Sequence, residues 1–80
     1  PSRLAYTLLD LARRFGTANP STGHIVVRHD LTQHELAQAV GSSRETVNKA
    51  LTDFAARGWL VARPKVITIM EPGKLAARAN

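Results

Sequence analysis

Cysteine is absent from the 80 residues. Its absence excludes a disulfide framework, a zinc ribbon, an iron–sulfur site and a thiol nucleophile within the chain, and it suits the cytoplasm as compartment. No apolar run approaches the roughly 20 residues of a membrane span, and no signal-peptide pattern opens the chain, so no membrane partner is expected. Internal repeats, low-complexity tracts and interdomain linkers are missing as well. So are a Gly-rich phosphate loop, a nucleophile beside a base and a matched acid pair, and an enzyme is not expected. Acidic residues are scarce: six Asp and Glu stand against eleven Lys and Arg.

What is present fits one small domain over 1–80. A chain this short hides only about 60% of the surface its unfolded form exposes, so it has room for a single core. At 44% hydrophobic and 21% charged it has the composition of a globular chain. Pro1 stands where an initiator Met is expected, so the chain reads as a piece of something longer. The net charge of +5 predicts a polyanionic partner. Most of that excess lies in residues 44–80, where seven cations face three anions, against four and three in residues 1–43.

Leu4, Leu8, Leu11 and Phe15 form a helical stripe, with Ser2 as its cap and Gly16 as a left-handed stop. Residues 17–23 carry Asn19-Pro20-Ser21 and read as an exposed loop, and His24 to Arg28 read as a short strand. Thr32 with Glu35 makes a capping box for a helix that turns Leu36, Ala37 and Val40 inward and stops at Gly41. A second box, Ser42 with Glu45, opens a helix with Val47, Ala50, Leu51 and Phe54 on one face, ended by Gly58. Two helices joined by a tight Gly-containing turn are the helix-turn-helix pattern, here about 32–57. Two strands then flank Arg63-Pro64-Lys65 as a wing, about 60–70, and Pro72 begins a short closing helix. The fold class is therefore α+β, mainly α: a winged helix-turn-helix with a small antiparallel β-sheet.

The outward arc of the second helix gathers Arg44, Glu45, Asn48, Lys49 and Thr52. Arg can bond guanine O6 and N7 together, and a carboxylate can accept from cytosine N4, so Arg44 and Glu45 are candidate readers of base edges. Each has a plainer role open to it. Glu45 can close the capping box, Arg44 can be a solvated arginine, and Lys49 can pair with Glu45 one turn away for about 0.2–0.5 kcal/mol. Thr32, Ser43 and Thr46 can bond phosphate oxygens or serve as caps. Arg63 and Lys65 can reach a DNA backbone or act as charges that guard a sheet edge. His24, His29 and His34 are spaced by five, but no Cys or carboxylate cluster completes a metal site, and none is expected.

From Leu31 to Leu51, LTQHELAQAVGSSRETVNKAL closely resembles the helix-turn-helix of the Crp/Fnr family of bacterial transcription regulators. Residues 40–47 look like that family's turn and recognition-helix start, and the likeness runs on through Phe54, Gly58, Trp59 and Lys65 to Ile69. The resemblance implies sequence-specific binding of double-stranded DNA, with the recognition helix in the major groove of a TGTGA-like half-site. It implies Arg44, Glu45 and Lys49 as base readers and Thr32, His34, Ser43 and Thr46 on phosphate-contacting positions. It also implies a homodimer in the full-length protein, a cyclic nucleotide such as cAMP in an N-terminal domain outside this chain, and contact of the Ser21-Thr22-Gly23 loop with RNA polymerase. No cofactor is expected in the chain itself. Lys49, where many relatives have Arg, and Arg63-Pro64, in place of a Gly-containing wing tip, depart from the family pattern. The rival reading is a winged-helix module for protein–protein contact, with its basic face on an acidic partner.

Overall fold

Hydrophobic periods of two kinds alternate along the chain, and the computed structural model, which describes residues 2–79, turns them into four helices and four short strands. The order is α1 (Ser2–Phe15), β1 (Gly16–Ala18), β2 (Ile25–Arg28), α2 (Gln33–Val40), α3 (Arg44–Ala56), β3 (Leu60–Arg63), β4 (Val66–Ile69) and α4 (Pro72–Ala79). The strands form one antiparallel sheet in the order β1-β2-β4-β3. The fold class is the one expected, mainly helical with a small antiparallel sheet, and Pro72 is the first residue of α4. The cap expected from Ser2 concerns a side chain outside the described residues.

The core lies between the helices and the inward face of the sheet. Leu4, Leu8 and Leu11 of α1, Leu36 and Val40 of α2, and Val47, Leu51 and Phe54 of α3 are buried together with Val27, Leu60, Ile67 and Ile69 of the strands and Leu75 of α4. Because strand side chains alternate, the partners Val66, Arg28 and Arg63 all face outward, one position along from the buried row containing Val27 and Ile67. Ala37 is buried within this core, where its small side chain lets α2 and α3 approach. Gly41 sits at φ 79°, the left-handed turn that separates the two helices, and its N–H and that of Ser42 close the end of α2 on Ala37 O at 2.9 and 3.0 Å.

Two expectations need correction. The first concerns the end of α1. Residues 16–18 are a strand, not a loop: they pair with Ile25–Val27 across a hairpin whose ends are tied by the Asn19 N–H to His24 O bond of 2.8 Å. Gly16 is outside the left-handed region. It is needed for space, because a Cβ there would strike Ala12 O and lie 2.7 Å from Ile25 Cγ2. Phe15 consequently turns away from the core and is 53% exposed.

The second correction moves the start of α3 by one residue. Ser43 is the N-cap, not Ser42: its Oγ accepts from Thr46 N–H at 3.1 Å and donates to Thr46 Oγ1 at 2.9 Å. Thr46 therefore holds the third helical position, and Glu45, at the second, takes no part in a capping box. The first capping box is as expected, with Thr32 N–H donating to Glu35 Oε1 at 2.9 Å and Glu35 N–H to Thr32 Oγ1 at 3.1 Å.

Two cations of the C-terminal half, Arg57 and Arg78, have partners at the end of α3. Arg57 bonds Asp53 at 3.0 Å and lies over the Trp59 ring at 5.3 Å. Arg78 covers both Phe54 and Trp59, at 5.9 and 5.2 Å. Those two rings stack at 5.5 Å between centroids, where the chain leaves α3. Trp59 N–H bonds Phe54 O and Gly58 N–H bonds Ala55 O, so the ring contact seals the helix end.

Candidate nucleic-acid interface

The shift of the cap to Ser43 decides what the start of α3 presents. Arg44 and Glu45 occupy its first turn, and both are exposed. Their backbone amides precede the first intrahelical bond, so the helix end is open to an anion. Asn48, Lys49 and Thr52 follow on the same face and line a shallow open surface with them. Arg44 has no side-chain hydrogen bond or ion pair among the described residues. Glu45 meets Lys49 at 3.8 Å, with both side chains about four-fifths exposed. A pair so open to water is worth well under 1 kcal/mol and gives way readily to a better partner. The plain role of Lys49 is thus present in the free chain, and that of Glu45 as a cap is not.

The residues assigned to phosphate positions sit around this turn at two helix starts. Thr32 caps α2, His34 lies exposed in its first turn, and Ser43 and Thr46 are tied to each other at the start of α3. A phosphate oxygen can take the hydroxyl proton that Ser43 now shares with Thr46. The bond from Thr46 N–H to Ser43 Oγ survives that rotation.

The wing stands beside the start of α2. Arg63, Pro64 and Lys65 line one side of a cleft of about 270 Å³ whose other side carries Thr32, Gln33 and Leu36. Register pairs Arg63 with Val66, leaving Pro64-Lys65 as a two-residue tip. Lys65 adopts φ 64°, a conformation usually left to glycine, in the position where a tight turn needs it. Its carbonyl accepts from the N–H groups of His29 and Asp30 at 3.1 and 3.3 Å, which fixes the tip to the end of β2. Arg63 and Lys65 are exposed.

The histidines separate by environment. His29 is buried, and its Nδ1 accepts from Leu31 N–H at 3.0 Å. Loss of water around it lowers its pKa below the usual value, against the opposing pull of Asp30, so the neutral ring that the hydrogen bond requires is favoured. Among the described residues no group of three or more His, Cys, Asp or Glu side chains is placed to hold a metal.

A family model described as a Crp-like helix-turn-helix domain matches residues 2–78. The CRP-like cAMP-activated global transcriptional regulator of Mycobacterium tuberculosis H37Rv is 56% identical over 80 residues, which is 100% of this chain and 35% of that protein. The global nitrogen regulator of Synechococcus elongatus is 36% identical over 75 residues, covering 94% of this chain and 33% of that protein. Among solved structures, a CRP/FNR-family transcriptional regulator from Thermus thermophilus superposes with a TM-score of 0.81 at 32% identity, over 98% of this chain and 39% of that one. The chain spans about a third of the length of the curated relatives it matches. An exposed recognition helix, a buried helix-turn-helix core and a wing, matched end to end by these relatives, make the chain a member of the Crp-like helix-turn-helix family of DNA-binding domains.

Proposed function

We propose that the chain is the operator-reading domain of a longer, dimeric bacterial transcription regulator, and that α3 enters the major groove of a TGTGA-like half-site. The observation that carries this is the exposed Arg44–Glu45 pair on the first turn of α3, freed by a cap that Ser43 supplies instead. In this reading Arg44 donates to O6 and N7 of a guanine, and Glu45 accepts from N4 of a cytosine. Lys49 releases Glu45 and takes the third reading position as a point charge, without the forked contact an Arg would make. Thr32, His34, Ser43 and Thr46 hold phosphates on the near strand, while Arg63 and Lys65 lean on the backbone beside the wing.

One domain meets one half-site, so a palindromic operator calls for a homodimer of the parent protein. The Mycobacterium relative is named as cAMP-activated, which supports a cyclic nucleotide as effector in a domain preceding this one. The exposed Ser21-Thr22-Gly23 segment would face RNA polymerase in such an assembly, and the setting is the cytoplasm.

The test is competition between a TGTGA palindrome and a scrambled duplex of equal length, at fixed salt. The palindrome is expected to win by about tenfold or more, with overall binding weak because a lone domain lacks the second half-site's contacts. Equal affinity for the two duplexes would reduce the interface to charge alone and favour the protein–protein reading.

A further inference from the structure

Of the eleven cations, seven have a partner or close neighbour within the fold. Among the described residues Arg28, Arg44, Lys65 and Lys74 make no side-chain hydrogen bond, ion pair or ring contact, although Lys65 stands near enough to the Glu35 carboxylate to help the Thr32 amide lower its pKa. Arg44 and Lys65 already belong to the proposed interface, and Lys74 lies on α4. That leaves Arg28, the last residue of β2, which is exposed.

Its position is set by register. Arg28 pairs with Val66 of β4, and Val66 pairs with Arg63 of β3, so the two arginines stand in one row on the outer face of the sheet, with one strand between them. Two interstrand spacings put their backbones about 10 Å apart. Lys65 adjoins the same row at the tip, and its carbonyl is bonded to the two residues that follow Arg28. Three chain segments therefore bring three cations to one end of the sheet. The nearby acids are Asp30 and Glu35; the Glu35 carboxylate accepts from the Thr32 amide, keeps its charge and attracts Lys65.

We propose that Arg28 is a DNA-backbone contact, which together with Arg63 and Lys65 makes the wing end of the sheet a three-cation clamp on one DNA strand. The inference rests on the reading of this chain as a duplex-binding domain and extends its footprint past the wing tip. A stretch of about 10 Å presents roughly three phosphates on each strand, enough to engage all three side chains. Since the contact is to phosphate, it adds affinity for any sequence and no choice between sequences.

The experiment is a salt series on the 80-residue chain with Arg28→Thr and Arg28→Lys, each titrated with the palindrome and with the scrambled duplex. Threonine suits a strand, and a thermal melt checks that the fold is kept. Arg28→Thr should weaken both duplexes several-fold, leave their ratio unchanged, and reduce the slope of log affinity against log salt by about 0.9. Arg28→Lys should keep the parental slope. A slope for Arg28→Thr equal to the parent's overturns the proposal, as does a loss confined to the palindrome. Should the threonine variant melt early, Arg28→Gln read in the same way decides. If the parent fails to prefer the palindrome, the base-reading assignment falls, while the slope difference still judges Arg28.

Discussion

Glu45 owes its freedom from a capping role to Ser43, two residues earlier. The Ser43 hydroxyl satisfies the Thr46 amide, so the Glu45 carboxylate is not drawn back to the helix start. Two other single groups set how the domain responds to acid. Glu35 has its pKa lowered, first by the Thr32 amide that it accepts from and then by the Thr32 hydroxyl. Its contribution is complete above the ordinary carboxylate range and is lost as pH falls through the lowered folded value. His29 has its pKa lowered by burial, so its neutral form is favoured; its contribution is complete above about 6.5 and is lost as pH falls from there through its own lowered value. Stability should therefore fall in two stages on acidification, followed by denaturant midpoints across pH. His29→Asn, whose side-chain oxygen can still accept from Leu31 N–H, should remove the earlier stage, and Glu35→Gln the later one. An unchanged pH profile in both variants would contradict these roles.

Helix ends show how much of the fold was legible and what was not. The first capping box was readable because Thr32 and Glu35 have its spacing directly before the apolar residues Leu36, Ala37 and Val40, although Asp30 with Gln33 has the same spacing. At the second helix, Ser42 and Ser43 both qualify, and Glu45 three residues after Ser42 favoured the wrong one. The tertiary turn at Gly41 decides, because Ser42 N–H is needed to close α2 on Ala37. Ser43→Ala should accordingly cost about 1 kcal/mol in chemical denaturation and Ser42→Ala much less; the reverse order would restore the first reading. β1 was invisible for a different reason: Gly16-Thr17-Ala18 has no apolar alternation, and its strand form comes from pairing with β2. The wing and α3 were legible, since β-branched runs and a helical apolar arc each carried a clear period.

The whole molecule measures 35 × 23 × 20 Å, and its stability depends on a core shared by all four helices and the sheet. Phe54 is fully buried, stacks on Trp59 and lies under Arg78, so it joins α3, the residue that leads into β3, and α4 in one contact set. Truncating it should cost about 3–5 kcal/mol, a large part of what a domain this size has. Phe54→Ala is expected to be mostly unfolded near 37 °C by circular dichroism, and a melt close to the parent's would mean the core relaxes around the loss. The basic excess of residues 44–80 is divided by the fold: Arg57 and Arg78 lie over the Trp59 ring, while Arg44, Lys49, Arg63, Lys65 and Lys74 are exposed.

The most direct test places one atom on each side of the proposed contact. Binding of the chain and of Arg44→Ala is measured on the palindrome and on the same duplex with the half-site guanine replaced by an analogue that has carbon in place of N7. The parent chain should lose about 1 kcal/mol on the analogue and Arg44→Ala almost nothing, so that the two changes are coupled. Equal losses for both proteins would mean that Arg44 does not touch that base.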